Sequence, residues 1–144
     1  YAIMTAESAL DPSVTSPAGA RGLMQLMPFL GEEIHGLVLP DSAYDGERLY
    51  LPGYNAWFGT YELGRLYTRF KAVEALPLPM AIAGYNGGFA AVERWLANQA
   101  DLPPYLQGPD AFMENIGYTE TRRYVRKVLG YLMRYHEVYG KPAP

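Results

Sequence analysis

The chain has 144 residues, of which 49% are apolar and 14% aromatic, a composition that suits a folded globule and excludes a disordered tail. Its formal net charge of −3 gives no overall basic field for nucleic acid, and a chain without cysteine forms neither disulfides nor thiol sites. No apolar run approaches the roughly 20 residues of a membrane span. We therefore expect no nucleic-acid partner and no transmembrane segment.

Apolar spacing and the positions of helix breakers predict a mainly α chain with little or no β-structure. The expected helices cover residues 1–9 and about 20–35, 53–72, 78–85 and 89–98, and a last helix has Glu120 in its first turn and is ended by Gly140 and Pro142. Pro28 should begin a new helical turn, and Thr119 should cap the last helix. The segments 36–52 and 100–117 are expected to be mostly loop.

The domain organisation is expected to be simple. No repeat, low-complexity tract or linker interrupts the sequence, which predicts a single domain over residues 1–144. The opening residues YAIMTAESA read as a helix without an N-cap ahead of it. We therefore expect that helical turns or an upstream domain precede Tyr1, and the chain itself shows no signal peptide.

One acid lies inside the apolar opening of the chain. Glu7 has Ile3 and Met4 one helical turn before it and Leu10 one turn after it, at spacings that share its face. An apolar setting strips water from a charged carboxylate, so we expect a raised pKa for Glu7, as a general acid near neutral pH requires. The alternative is an ordinary solvated glutamate.

The segment that follows Glu7 is rich in turn formers and small residues. Its run SPAGARG allows the backbone to approach a ligand or another segment closely. Gln25 adds an amide that can read a hydroxyl or an acetamido group, and Met24 and Met27 supply apolar walls or plain core residues. The segment is therefore a candidate binding loop.

Four ordered motifs carry a family resemblance. ESALDPSVTSPAGARGLMQLMP starts at Glu7, and NAWFGTYEL, AIAGYNGGFAAVERWL and ENIGYTETRRYVRKVLGY cover 55–63, 81–96 and 114–131. Together they are similar to the glutamate-to-GLMQ signature, the helix after it, the Ala-Tyr-Asn-Ala-Gly motif and the Glu-Asn-Ile-Pro-Tyr motif of the soluble lytic murein transglycosylases. The resemblance implies a lysozyme-like fold with a substrate cleft.

The resemblance also implies a mechanism. Glu7 would act alone, first as acid and then as base, to cleave the β-1,4 bond between N-acetylmuramic acid and N-acetylglucosamine in peptidoglycan. The muramic C6 hydroxyl would attack its own C1, leaving a 1,6-anhydro end. An ordinary glycosidase instead needs a second carboxylate. Several acids are conceivable partners that the sequence does not place: Asp11, Asp41, Asp45, Glu114 and Glu120.

By the same resemblance, a set of polar and aromatic residues contacts substrate: Ser16, Gln25, Met27, Tyr85, Asn86, Glu114 and Tyr118. Plain structural roles compete with these assignments: a turn-forming hydroxyl for Ser16, ring packing for Tyr85 and Tyr118, a helix cap for Asn86, and a loop-surface acid for Glu114. Departures from the motifs also exist. Gly84 and Gly87 stand in place of alanines and Gly117 in place of a proline, and we expect them to loosen the backbone.

Two rival functions remain at this point. One is a goose-type lysozyme-like hydrolase, which uses water in place of the C6 hydroxyl; the other is a non-catalytic peptidoglycan-binding module of the same fold. Arg122 and Arg123 would contact a peptide stem or a muramic lactyl carboxylate, or form a solvated helix face, and His35 and His136 are expected to be structural. We expect no metal and no cofactor, a monomer, and a location in the bacterial periplasm or cell envelope, where the implied substrate lies.

Overall fold

The computed structural model describes residues 1–72, 77–100 and 109–140. In these ranges seven α-helices occur: α1 Ala2–Ser8, α2 Pro28–Val38, α3 Pro52–Phe70, α4 Pro77–Gly87, α5 Phe89–Ala100, α6 Pro109–Asn115 and α7 Thr119–Tyr139. A 3-10 helix spans Gly46–Tyr50, and the β-type pairing among the described residues consists of isolated bridges from Arg21 to Thr15 and to Leu26. The mainly α prediction is confirmed.

The predicted helix over 20–35 is wrong in its first half. Gly19, Gly22 and Gln25 have positive φ angles of 89°, 74° and 49°, which a right-handed helix does not contain. The chain therefore makes a tight loop there, and α2 begins only at Pro28, whose ring presets the φ angle of a first helical residue.

Other boundaries differ more modestly. The segment 36–52 contains the 3-10 helix, which Asp45 caps because its carboxylate accepts the Glu47 N–H at 2.9 Å. The segment 100–117, expected to be loop-rich, contains α6, while 101–108 lie outside the described residues. The last helix already includes Thr119, and its first bond runs from the Arg122 N–H to the Tyr118 carbonyl at 2.9 Å. The cap position is therefore Tyr118.

The chain divides into two compact units. The first contains residues 1–62 and the end of the chain from 131, and the second contains 63–130, so the divisions fall within α3 and α7. Large side chains exposed by 2% or less form the core of the first unit: Met24, Leu26, Ile34, Leu49 and Phe58. The corresponding core of the second unit is formed by Met80, Ile82, Val92, Phe112, Ile116, Val125 and Val128. The single-domain expectation stays a prediction.

The helices of the described ranges, 1–72, 77–100 and 109–140, are too short or too polar to span a membrane.

Candidate active site

Glu7 lies at the end of α1, in the first unit. The helix stops one residue later, because Ala9 and Leu10 both take left-handed φ angles of 52° and 70°. The N–H groups of these two residues turn back toward the Met4 carbonyl, which closes the helix end. Glu7 is half-buried at this helix end.

Ser8, the neighbour of Glu7, joins this helix end to the following loop. Its side chain is only 6% exposed, and its hydroxyl donates to the Leu23 carbonyl at 2.9 Å as well as to the Met4 carbonyl at 3.1 Å. The bond to Leu23 crosses 15 positions of sequence. It fixes the position of the α1 end relative to the loop over residues 21–26.

Asn55 of α3 anchors that loop through hydrogen bonds to its backbone. The side chain is fully buried; its Oδ1 accepts the Met24 N–H at 2.7 Å, and its Nδ2 donates to the carbonyls of Arg21 at 2.8 Å and Leu49 at 2.7 Å. Gly22 fits against this amide, because a Cβ there would lie 2.5 Å from the Asn55 Nδ2 and would clash with the Leu49 carbonyl. The loop is therefore built around one buried amide.

Gln25 and Ser16 belong to the same loop system. The Gln25 Nε2 donates to the Val14 carbonyl at 3.1 Å and to the Gly22 carbonyl at 2.9 Å, so the donor end of its amide holds the loop together. The Ser16 Oγ accepts the Ala20 N–H at 3.0 Å, which is the turn-forming role. The Gln25 Oε1 and the Ser16 hydroxyl proton take no part in these bonds.

Met27 ends the loop. It is half-buried, and its carbonyl accepts the Gly31 N–H at 3.0 Å as the first bond of α2. Met24, by contrast, is a core residue at 2% exposure that packs against Gly59, where an added Cβ would lie 2.8 Å from the Met24 Cβ. Of the two methionines, only Met27 keeps a partly accessible surface beside the candidate site.

Several acids weighed as a second carboxylate have local roles. Asp11 is exposed and accepts the Ser13 hydroxyl at 2.6 Å and the Ser13 N–H at 2.8 Å; these side-chain and backbone bonds hold the pKa of Asp11 below its usual value. Asp45 caps the 3-10 helix. Both carboxylates therefore stabilise turns of the first unit.

The motif around Tyr85 lies in the second unit, at the end of α4. Tyr85 is half-buried, whereas Asn86 is exposed and its Oδ1 accepts the Thr121 hydroxyl of α7 at 2.7 Å. Gly87 lies against the same threonine, since a Cβ there would be 2.9 Å from the Thr121 Oγ1. The bond to Thr121 gives Asn86 a structural role in joining α4 to α7.

Trp95 of α5 organises the other motif of the second unit. The ring is 6% exposed; Tyr118 packs edge-on against it with centroids 5.2 Å apart, and a Cβ on Gly117 would lie 2.7 Å from its Nε1. Tyr118 itself stays 48% exposed, with its hydroxyl 3.3 Å from an Arg94 nitrogen. Gly87 and Gly117 were expected to loosen the backbone, but each lies where a side chain packs closely against the backbone: Thr121 at Gly87 and Trp95 at Gly117.

Glu114 and Arg122 are both engaged within the second unit. Glu114, expected in a loop, lies in α6 and forms an exposed ion pair with Arg126. The Arg122 guanidinium donates to the Ile116 carbonyl from Nε at 3.2 Å and Nη2 at 2.8 Å, so it stabilises the turn before α7. Arg123 is exposed, as a solvated helix face predicts.

His35 is a core residue of the first unit. It is 3% exposed, its Nδ1 lies 2.8 Å from the Tyr54 hydroxyl, and its Nε2 lies 2.9 Å from the Ser42 carbonyl. The structural role predicted for His35 is confirmed. His136 is exposed near the end of α7. Within the part of the chain that the structure describes, no three His, Cys, Asp or Glu side chains gather in a group able to hold a metal ion.

Comparison with known proteins identifies the family. The model of the transglycosylase SLT domain matches residues 1–107, about three quarters of the chain. The chain belongs to the transglycosylase SLT domain family. This SLT domain is 38% identical over 143 residues to the soluble lytic murein transglycosylase of Salmonella typhimurium, with 97% of this chain and 20% of that protein covered. It is 37% identical over 142 residues to the Escherichia coli K12 protein of the same name, with 96% and 20% covered.

Solved structures agree with this assignment. The SLT domain superposes on the 70 kDa soluble lytic transglycosylase of Escherichia coli with a TM-score of 0.84 at 34% identity, covering 97% of this chain and 21% of that one. A complex of the 70 kDa enzyme with bulgecin A gives a TM-score of 0.83 at the same identity and coverage. An inactive glutamate-to-glutamine mutant of lytic transglycosylase Slt from Pseudomonas aeruginosa gives 0.80 at 31% identity, covering 99% and 22%. The lysozyme-like fold class is confirmed, and the chain spans about a fifth of the length of these relatives.

Sequence reasoning missed three residues that hold the candidate motifs within each of the two units of this SLT domain. They are buried residues with long-range contacts: Asn55, Trp95 and Thr121. The sequence did hold a signal for Asn55, which is a polar residue among aromatic residues of a predicted helix. Such a residue needs hydrogen-bond partners if the helix is buried there. No local pattern in the sequence identifies those partners.

Proposed function

We propose that this SLT domain is the catalytic domain of a peptidoglycan lytic transglycosylase and that Glu7 is its catalytic acid and base. The observation that carries the proposal is the position of the half-buried Glu7 at a helix end, which Ser8 ties to the loop over residues 21–26. Membership of the SLT family and the names of relatives up to 38% identical support the reaction class. A relative whose glutamate-to-glutamine mutant is described as inactive supports the choice of a glutamate.

In the proposed reaction a single carboxyl group first donates a proton and later accepts another. Glu7 first donates its proton to the glycosidic oxygen while the bond from that oxygen to the muramic C1 breaks. The C6 hydroxyl of the same sugar then attacks C1, and the Glu7 carboxylate takes its proton. A 1,6-anhydro ring forms, the other strand leaves with a free hydroxyl, no water is consumed, and Glu7 returns to its starting state.

This reaction asks for no second carboxylate, because the nucleophile comes from the substrate. A glycosidase that hydrolyses its substrate needs a partner acid about 5–9.5 Å from the first. The turn-forming bonds of Asp11, the cap formed by Asp45 and the ion pair of Glu114 account for three of the five acids that were conceivable partners. These three acids therefore have local structural roles in this domain.

Substrate contacts are proposed for the remaining atoms of the motifs. In the first unit these are the Gln25 Oε1, the Ser16 hydroxyl proton and the accessible surface of Met27, all next to the loop that Ser8 ties to α1. In the second unit they are the half-buried Tyr85 and the exposed ring of Tyr118. Asn86 and Glu114 are proposed as sugar or peptide contacts as well.

The proposal is tested by comparing Glu7→Gln with the parent and with a matched control, Glu32→Gln, whose side chain is exposed on α2. Each protein digests purified peptidoglycan, and the soluble muropeptides are weighed by mass spectrometry. We expect the parent and Glu32→Gln to release muropeptides whose ends are lighter by one water than reducing ends. Glu7→Gln should release none, although its midpoint temperature of thermal unfolding should equal that of the parent. Reducing ends from the parent would contradict transglycosylation, and full turnover by Glu7→Gln would contradict the site.

We propose that the domain binds glycan strands as a monomer in the bacterial periplasm or cell envelope, where its substrate lies.

A binding measurement separates the enzyme from a non-catalytic module. Because a relative forms a complex with bulgecin A, we expect this domain to bind bulgecin A too. Inhibition of peptidoglycan release at the concentrations that saturate binding would support the enzyme, whereas binding in a protein without turnover would support the module.

A further inference from the structure

We propose that Asn55 is a positioning residue for Glu7 and that it acts through the peptide group between Leu23 and Met24 and through Ser8. This inference rests on the proposed function, because it concerns how the Glu7 carboxyl is held. Asn55 lies 48 positions from Glu7 in the sequence and on another helix. The connection between them consists of two hydrogen bonds that share one peptide plane.

The first step is the anchor at Asn55. Its side chain is fully buried, and it bonds three backbone groups: the Met24 N–H and the carbonyls of Arg21 and Leu49. An amide is the side chain that can accept one bond and donate two others in this arrangement. Aspartate lacks the donors and alanine lacks both. Asn55 therefore holds the loop from the α3 side, in addition to the bonds that the Gln25 amide forms within the loop.

The second step is a single rigid peptide. The Met24 N–H that donates to Asn55 and the Leu23 carbonyl that accepts from Ser8 belong to the same peptide group. A peptide group is planar, so its N–H and C=O directions are fixed relative to each other. When Asn55 holds the N–H, it also sets the direction of the carbonyl to which Ser8 donates.

The third step leads from Ser8 to Glu7. The two residues are adjacent in the last turn of α1, and the hydroxyl of Ser8 also bonds within that helix, to the Met4 carbonyl at 3.1 Å. The Leu23 carbonyl therefore determines where this helix end lies relative to the loop. A displacement of the helix end by about 1 Å can lower the rate of a reaction about 100-fold, because catalysis needs exact alignment of the reacting atoms.

Backbone strain supports a functional role for this connection. Among the residues that the structure describes, the non-glycine residues with positive φ are Ala9, Leu10 and Gln25. The first two directly follow Ser8, and the third directly follows Met24. Such conformations persist only where surrounding contacts over-determine them, and they concentrate at functional sites. The Ser8 and Asn55 bonds lie directly beside these residues, whose own N–H groups bond to the carbonyls of Met4 and Gly22.

The experiment compares Ser8→Ala, Asn55→Ala and the double variant with a matched control, Tyr54→Phe. Tyr54 neighbours Asn55 on α3, is also buried, and loses one hydrogen bond, to His35, when its hydroxyl is removed. The kcat, the KM and the pH dependence of kcat are measured on soluble glycan strands. Urea unfolding selects conditions in which every protein is folded, and Ser8→Ala keeps the test possible if Asn55→Ala does not fold.

We expect Ser8→Ala and Asn55→Ala each to lower kcat about 10- to 100-fold with a change in KM of less than about threefold, and the double variant to be no slower than the slower single variant. The pH dependence of kcat should move in Ser8→Ala and coincide with the parent in Tyr54→Phe. An active parent with unchanged kcat in Ser8→Ala, or an equal loss in Tyr54→Phe, would overturn the inference alone. A parent that releases no anhydro ends would overturn the proposed function.

Discussion

The fit of Gly22 into the loop over residues 21–26 predicts an unusually costly glycine-to-alanine substitution. Gly22→Ala places a methyl group 2.5 Å from the Asn55 Nδ2 and into the Leu49 carbonyl, at a φ of +74°. Gly19→Ala, three residues earlier, has a φ of +89° but open space around the new methyl group. The pair therefore separates the cost of the clash from the cost of the backbone conformation.

The expected losses of unfolding free energy follow from the cost of the backbone conformation and the cost of the clash. A left-handed φ costs a non-glycine residue about 1–2 kcal/mol, and this is the whole effect expected for Gly19→Ala. Forcing a methyl group into a packed site costs about 1–3 kcal/mol more, and it also displaces the amide that bonds three backbone groups. We expect Gly22→Ala to lose about 2–5 kcal/mol, which is a large part of the roughly 5–15 kcal/mol by which a typical domain is stable.

The assay is urea unfolding followed by circular dichroism, with both variants and the parent measured at one temperature. The denaturant midpoint should fall clearly more for Gly22→Ala than for Gly19→Ala, with similar slopes. Equal midpoints for the two variants would refute the reasoning, because they would mean that the loop accepts a methyl group beside Asn55 without cost.

The remaining predictions concern another glycine pair and one tyrosine. Gly87→Ala should destabilise by about 1–3 kcal/mol because the new Cβ would lie 2.9 Å from the Thr121 Oγ1, whereas Gly64→Ala, in open space on α3, should stabilise by about 0.5–1 kcal/mol; thermal unfolding of both variants checks the opposite signs. Burial raises the pKa of the Tyr54 hydroxyl from its usual value of 10.0. The native state therefore keeps this proton more tightly than the unfolded state. The stability that Tyr54 contributes is complete below about pH 10 and is lost as the pH rises through the native pKa. In Tyr54→Phe, unfolding free energies measured between pH 8 and pH 11 should decline less steeply than in the parent, and an identical slope would contradict a raised pKa.

Local pattern in the sequence was sufficient for several conclusions. The helical spacing and the breakers predicted the class of structure, and Pro28 was correctly expected to begin a helical turn, because its fixed φ suits a first helical residue. Glu7 was recognised as a candidate acid from its apolar neighbours and from the motif that follows it. A role for Glu7 in catalysis remains a prediction for the experiments above.

The conformation of the loop after Glu7 was decided by the tertiary structure. The segment from residue 20 onward resembled a helix, yet Gln25 is held at a φ of 49° in a loop whose anchor, Asn55, lies on α3. Likewise Gly87 and Gly117 looked like sources of flexibility until Thr121 and Trp95 were found against them. Propensity and periodicity act over a few residues, whereas a buried amide or a packed ring selects a backbone conformation from far along the chain. The partner of a buried polar group is therefore known only once the chain is folded.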